Sequence, residues 1–118
     1  MTKIIEFTEY LDANGTSPFA KWFDALDAVA AAKVRVYMTR VELGNYSIVE
    51  PIGAGLSEIK IDFGPGYRVY FRKEREILLL LLGGSNKKGQ QKAISAAKLA
   101  WKKYESDRKQ NAQKEKRK

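Results

Sequence analysis

"GLSEIKIDFGPGYRVYF", residues 55–71, is the stretch that decides the fold. Apolar and polar residues alternate on both sides of Gly64-Pro65-Gly66, the pattern of two strands joined by a tight turn. In the first strand, expected over residues 56–63, Ile59, Ile61 and Phe63 share one face, and Glu58, Lys60 and Asp62 share the other. In the return strand Tyr67, Val69 and Phe71 alternate with Arg68, Tyr70 and Arg72. The polar face sets cations and acids side by side. It reads either as an ordinary solvated surface or as one built to hold a polyanion.

Working outward, residues 73–76 are expected to turn, and residues 77–82 are apolar at every position. Such a run suits a strand covered on both faces. A helix over about 90–107 would supply part of that cover, since Ile94, Ala97, Trp101 and Tyr104 recur at helical spacing. On the N-terminal side, residues 3–7 suit a short strand. Ser17-Pro18 reads as a helix cap followed by proline at the first helical position. Phe19, Trp22, Phe23 and Leu26 give one helical stripe, and Val34, Met38 and Val41 give another that Gly44 is placed to end. Residues 13–43 therefore read as a helical hairpin covering one face of the sheet, and residues 44–55 as a loop. Trp22 and Trp101 read as core. The fold class is α+β: an N-terminal strand, a helical hairpin, a three-stranded antiparallel meander and a C-terminal helix packed on the sheet. One domain is expected over residues 1–105, with residues 106–118 a basic, flexible tail.

Composition narrows the chemistry. The chain has 118 residues, no cysteine and no histidine. Disulfides, thiolate metal sites, thiol catalysis, histidine metal sites and a Ser-His-Asp triad are thereby excluded. No carboxylate spacing suggests a metal cage, and the glycine-rich turns are not followed by a helix as a nucleotide loop would be. No cofactor and no metal are expected. No apolar run reaches membrane-spanning length and the N-terminus lacks a secretory pattern, so a cytoplasmic protein is expected. The net charge of +8 is unevenly placed. Residues 1–55 hold 5 basic and 7 acidic side chains, residues 56–101 hold 9 and 4, and residues 102–118 hold 8 and 3. The positive charge thus lies in the second half, which points to a nucleic acid or an acidic protein as partner.

What remains is lysine, arginine and a few carboxylates gathered on one sheet. That set suits cleavage of RNA by its own 2′-hydroxyl. The reaction needs a base, cations around the developing phosphorane charge and an acid for the leaving 5′-oxygen, with no metal and no protein nucleophile. Arginine can grip a phosphate with two parallel donors, and a lysine crowded by other cations can exchange a proton. A tyrosine can stack on an unpaired base.

Residues 55–71, followed by "LLLLLGGSNKKGQQKAISAAKLAW", resemble the RelE/HigB-type toxins of bacterial toxin–antitoxin modules, and within them the branch of phage-derived, addiction-module killer proteins. In that branch a Gly-Leu/Val-x-Glu-Leu-Arg-Ile strand leads into Gly-Pro-Gly-Tyr-Arg-Val-Tyr. A leucine strand follows, ending near Gly-Gly-Asp-Lys-x-x-Gln ahead of the last helix. The resemblance spans most of residues 3–104 and is most specific at residues 64–70. It implies a RelE-like fold and a ribosome-dependent messenger RNA endonuclease that inhibits translation. It also implies a helix-turn-helix antitoxin as partner. Arg68 matches the arginine that holds the scissile phosphate, Lys60 a strand position usually arginine, Glu58 the glutamate two places earlier, and Lys87 the lysine before the last helix. These four are the implied catalytic set. Tyr67, Tyr70, Arg72, Lys88 and Gln90 are the implied RNA contacts, with stacking assigned to Tyr70 or Tyr67 because the family's last-helix tyrosine has no counterpart near Gln90. Asn86 stands where the family has aspartate. The alternative is a non-catalytic RNA-binding or degenerate toxin-like module acting through antitoxin binding and operon control.

Overall fold

The computed structural model describes residues 5–76 and 78–116, with side chains on the last helix through Asn111. Its elements are β1 (Glu6–Glu9), α1 (Pro18–Asp24), α2 (Ala28–Glu42), β2 (Val49–Gly53), β3 (Leu56–Ile61), β4 (Tyr67–Arg75), β5 (Leu78–Asn86) and α3 (Gln90–Lys116). One mixed five-stranded sheet has the order β1-β5-β4-β3-β2. Strands β2 to β5 run antiparallel in sequence order, and β1 closes the other edge parallel to β5. The fold is α+β.

The hairpin of residues 55–71 forms with the expected alternation. Ile59, Ile61, Val69 and Phe71 face α1 and α2 and join Phe19, Val34, Val41, Leu79 and Leu81 in one core cluster. Leu56, Tyr70, Leu80 and Leu82 face the other way and pack with Tyr10, Ala97 and Trp101. Strand β5 thus feeds leucines alternately into both cores, which accounts for its unbroken apolar run. Each fully buried leucine contributes about 1.5–3 kcal/mol of transfer free energy. Helix α1 starts as expected: the Ser17 hydroxyl accepts from the Ala20 amide at 3.0 Å with Pro18 next in line. Asp27 caps α2 in the same way, accepting from the Ala30 amide at 2.8 Å. The Phe7 amide donates to the Glu42 carboxylate at 3.2 Å, tying β1 to the end of α2.

Several expectations need correction. The meander has four strands, not three, because residues 49–53 of the expected loop pair with β3. Pro51 is tolerated there since β2 is an edge strand. The turn that follows carries three successive residues with positive φ, Gly53 at 91°, Ala54 at 57° and Gly55 at 77°. That glycine-rich signature reads as a loop in the sequence, yet it is a tight reversal, held by Arg72 Nη1 donating to the Ala54 carbonyl at 2.9 Å. Strand β4 runs on to Arg75, so the expected turn at 73–76 is shorter, and β5 continues through Gly83 and Gly84 to Asn86. Gly84 belongs in that strand because the Trp22 indole lies where a side chain would begin. Helix α3 does not stop near Asp107. It continues to Lys116, through residues with no glycine or proline to end it. Arg108 pairs with Glu74 at the far end of β4, and Lys109 pairs with Glu105 one turn back at 4.0 Å. Residues 106–116 therefore extend a helix where a flexible tail was expected. Lys3, Ile4, Ile77 and residues 117–118 lie outside the described residues. Among the described residues no helix is long and apolar enough to cross a membrane.

Candidate anion site on the sheet

Strand register brings two of the expected residues together. Lys60 on β3 and Arg68 on β4 are direct cross-strand partners. The Gly64-Pro65-Gly66 turn lies beyond them, and the segment after β5 returns Lys87 to the same end of the sheet. Lys60, Ile61, Asp62, Gly64, Pro65, Gly66, Arg68 and Lys87 line one open cleft of about 470 Å³. The backbone turn makes the cleft close-fitting: a side chain beginning on Gly66 would lie 3.5 Å from the Lys87 Cβ.

The electrostatics favour an anion. Three cations surround the cleft against the Asp62 carboxylate on its wall. Lys60 is paired with Glu50 on β2 at 2.9 Å, but both side chains are substantially exposed, at 43% and 55%. An exposed pair of this kind is worth at most about 1 kcal/mol and yields readily to a stronger anion. The Arg68 Nε is buried without a hydrogen-bond partner. A guanidinium donor left in that condition is costly until an acceptor reaches it. A phosphate seated in the cleft is an acceptor of the right charge and geometry.

The rest of the expected polar face is not a surface. Helix α3 covers it. Glu58 is 2% exposed and accepts from Gln90 Nε2 through both carboxylate oxygens, at 3.1 and 2.9 Å. Glu58 and Gln90 therefore satisfy each other, and neither presents its polar atoms to a bound RNA. Tyr70 is fully buried, with its hydroxyl 2.8 Å from Ser85 Oγ, so it cannot stack on a base. Burial is the main cause that raises the Tyr70 phenol above its ordinary value of 10.0. The Ser85 hydrogen bond lowers it, nearby Glu58 raises it, and Arg68 lowers it. Arg72 lies with its guanidinium carbon 4.0 Å from the centre of the Trp101 ring and holds the Ala54 carbonyl, so it is a structural clamp. Tyr67 stands on the opposite face from Arg68, edge-on to Trp22 at 6.2 Å. Its ring reaches the Gly64 turn, at 3.8 Å from where a side chain there would begin. Lys88 is exposed in the segment between β5 and α3.

Of the nine expected residues, then, Arg68, Lys60 and Lys87 converge, Lys88 is exposed next to Lys87 in the chain, and Tyr67 stands on the opposite face of the sheet. Glu58, Tyr70, Arg72 and Gln90 form the packed polar layer beneath α3. Two groups at the site were missed. Glu50 lies in the strand read as a loop. Asp62 was read as part of the polar face, but not as a residue of a pocket formed with the turn.

No protein-family model matches the chain. A Haemophilus influenzae (strain ATCC 51907 / DSM 11121 / KW20 / Rd) protein bearing the name "Uncharacterized protein" is 36% identical over 85 residues, covering 71% of this chain and 86% of that protein.

Proposed function

The chain belongs to one family with that Haemophilus influenzae protein, and we propose, on the chemistry of the cleft and the toxin resemblance, that it is a RelE-like endoribonuclease. Its substrate is messenger RNA on the ribosome, its effect is arrest of translation, and its partner is a helix-turn-helix antitoxin. The observation that carries the reading is the convergence of Arg68, Lys60 and Lys87 on one open cleft, with an unsatisfied Arg68 donor beside it.

In this reading a phosphodiester sits against Arg68, whose guanidinium binds the non-bridging oxygens. The 2′-oxygen attacks phosphorus while its proton passes to the Asp62 carboxylate. The bond from phosphorus to the 5′-oxygen breaks, and the Lys87 ammonium supplies the proton that oxygen needs. Lys60 and Arg68 neutralise the extra charge of the five-coordinate phosphorus, an effect of the oxyanion-hole type worth roughly 10²–10³ in rate per donor. Glu58 acts only as a positioning group, bound by Gln90 beneath the site.

One observation favours a second reading. Burial of Glu58 and Tyr70 withdraws an acid and a stacking ring that a self-sufficient nuclease would use, which suits a module that binds RNA without cutting it. Mapping message ends in a translating extract separates the two. Wild type is expected to cut within reading frames and Arg68→Ala to leave messages intact. Wild-type protein that binds RNA and produces no new ends would establish the binding module instead.

A further inference from the structure

Helix α2 is apolar where it should be polar. Its inward face, Ala30, Val34 and Val41, packs on the sheet. Its outward face repeats the pattern at helical spacing: Val29, Ala32, Lys33, Val36, Arg40 and Leu43 form one stripe. Val29 is 64% exposed, Val36 47% and Leu43 83%. A helix facing water on that side would carry charged residues there. A shallow apolar groove lined by Ala28, Val29, Ala32, Lys33 and Val36 runs along it.

The charge on this surface has one sign. Lys33 lies over the Phe63 ring at 5.5 Å and Arg40 over Tyr37 at 4.8 Å. Among the described residues none of these cations has a carboxylate in ion-pair range. The helix's acids are already used, Asp27 as the N-cap and Glu42 on the Phe7 amide. Cations laid flat on aromatic rings flank an apolar stripe and lack counter-charges.

We propose that the outward face of α2 is a docking surface for an amphipathic helix of a partner protein whose apolar stripe is flanked by Glu and Asp. Apolar side chains of that helix fill the spaces between Val29, Val36 and Leu43, and its acids meet Lys33 and Arg40. A second copy of this chain fits poorly, because a symmetric pairing sets Lys33 and Arg40 against their own like charges. RNA fits poorly too, because the exposed valines and leucine offer nothing to a phosphate backbone. The surface is separate from the cleft, and the proposal does not rest on the ribonuclease reading.

The test selects a displayed library of helical peptides with randomised faces on the full-length chain. Enriched peptides are expected to carry leucine-like residues at helical spacing with flanking Glu or Asp. Their affinity should fall at least about tenfold for Val36→Asp and for the double variant Lys33→Glu/Arg40→Glu, and stay unchanged for Arg68→Ala. Val36 is half exposed, so its substitution leaves the fold intact, which circular dichroism checks. Enrichment of basic peptides, binding that Arg68→Ala abolishes and Val36→Asp does not, or no enrichment at all would each overturn the proposal. So would a concentration-dependent dimer in sedimentation that Val36→Asp dissolves, since the occupant would then be a second copy.

Discussion

Arg68 and Arg72 stand four positions apart on β4 and do different work. The Nε of each is buried without a partner, but the Arg72 guanidinium is clamped between the Trp101 ring and the Ala54 carbonyl, whereas Arg68 lines the cleft. Arg72→Ala is therefore expected to destabilise the protein by about 1–3 kcal/mol in urea titration, through loss of a cation–π contact and a charged hydrogen bond. Arg68→Ala should change stability by less than about 1 kcal/mol, so that any loss of RNA cleavage or binding is read as function. Strand alternation alone places both arginines on the same face, and the toxin resemblance implied an RNA-facing role for each. Only the docking of α3 over one end of that face tells them apart. Tyr70 was lost to the site for the same reason, and its burial has a measurable sign. The folded phenol holds its proton to higher pH than the unfolded chain's. Stability is thus fully present below about pH 10 and falls as pH rises past that value toward the folded pKa. Tyr70→Phe should remove part of that alkaline decline, seen as a flatter dependence of the denaturation midpoint on pH.

At the scale of elements, the hairpin, both N-terminal helices and the two-faced leucine strand were legible because each follows from periodicity. The Ser17 cap and the stripe of Phe19 to Leu26 needed no tertiary information. Strand β2 was not legible. Pro51 and Gly53 carry loop chemistry, and the pairing with β3 depends on a turn whose geometry Arg72 stabilises from two strands away. The length of α3 was misread because residues 106–116 lack apolar anchors, and its continuation draws on ion pairs that an apolar pattern does not register. Glu74 is only 7% exposed beside Arg108. A chain ending at Asp107 is accordingly expected to lose about 1 kcal/mol or more of stability, and Arg108→Ala to reproduce most of the loss. Equal denaturation midpoints for the two lengths would mean the extension carries no weight in folding.

Across the whole molecule, charge separates the two proposed surfaces. The second half of the sequence supplies the cleft cations, and the helical first half, with 5 basic and 7 acidic residues to position 55, carries three of its five cations on α2. If the cleft holds an RNA backbone through about three cations, binding should weaken with salt at a slope near −2 in log–log form. Arg68→Ala should reduce that slope by about 0.7, while Lys33→Glu should leave it nearly unchanged. Fluorescence anisotropy of a labelled single strand across a potassium chloride series reads both. Bulk charge and its asymmetry were legible from composition. Which cations share one cleft was not, because the Lys60–Arg68 register and the return of Lys87 are set by the sheet.

The order in which the strands lie also governs when the protein can exist. The first strand made, β1, finds its neighbour only in β5, the last one made, and β5 is the bridge between β1 and everything else in the sheet. While the chain is still emerging from a ribosome, neither core can close until residue 86 has cleared the exit tunnel, and Lys87 follows at once. In the proposed ribonuclease reading, the cleft cations would thus stay unassembled until β5 and the segment after it have been made.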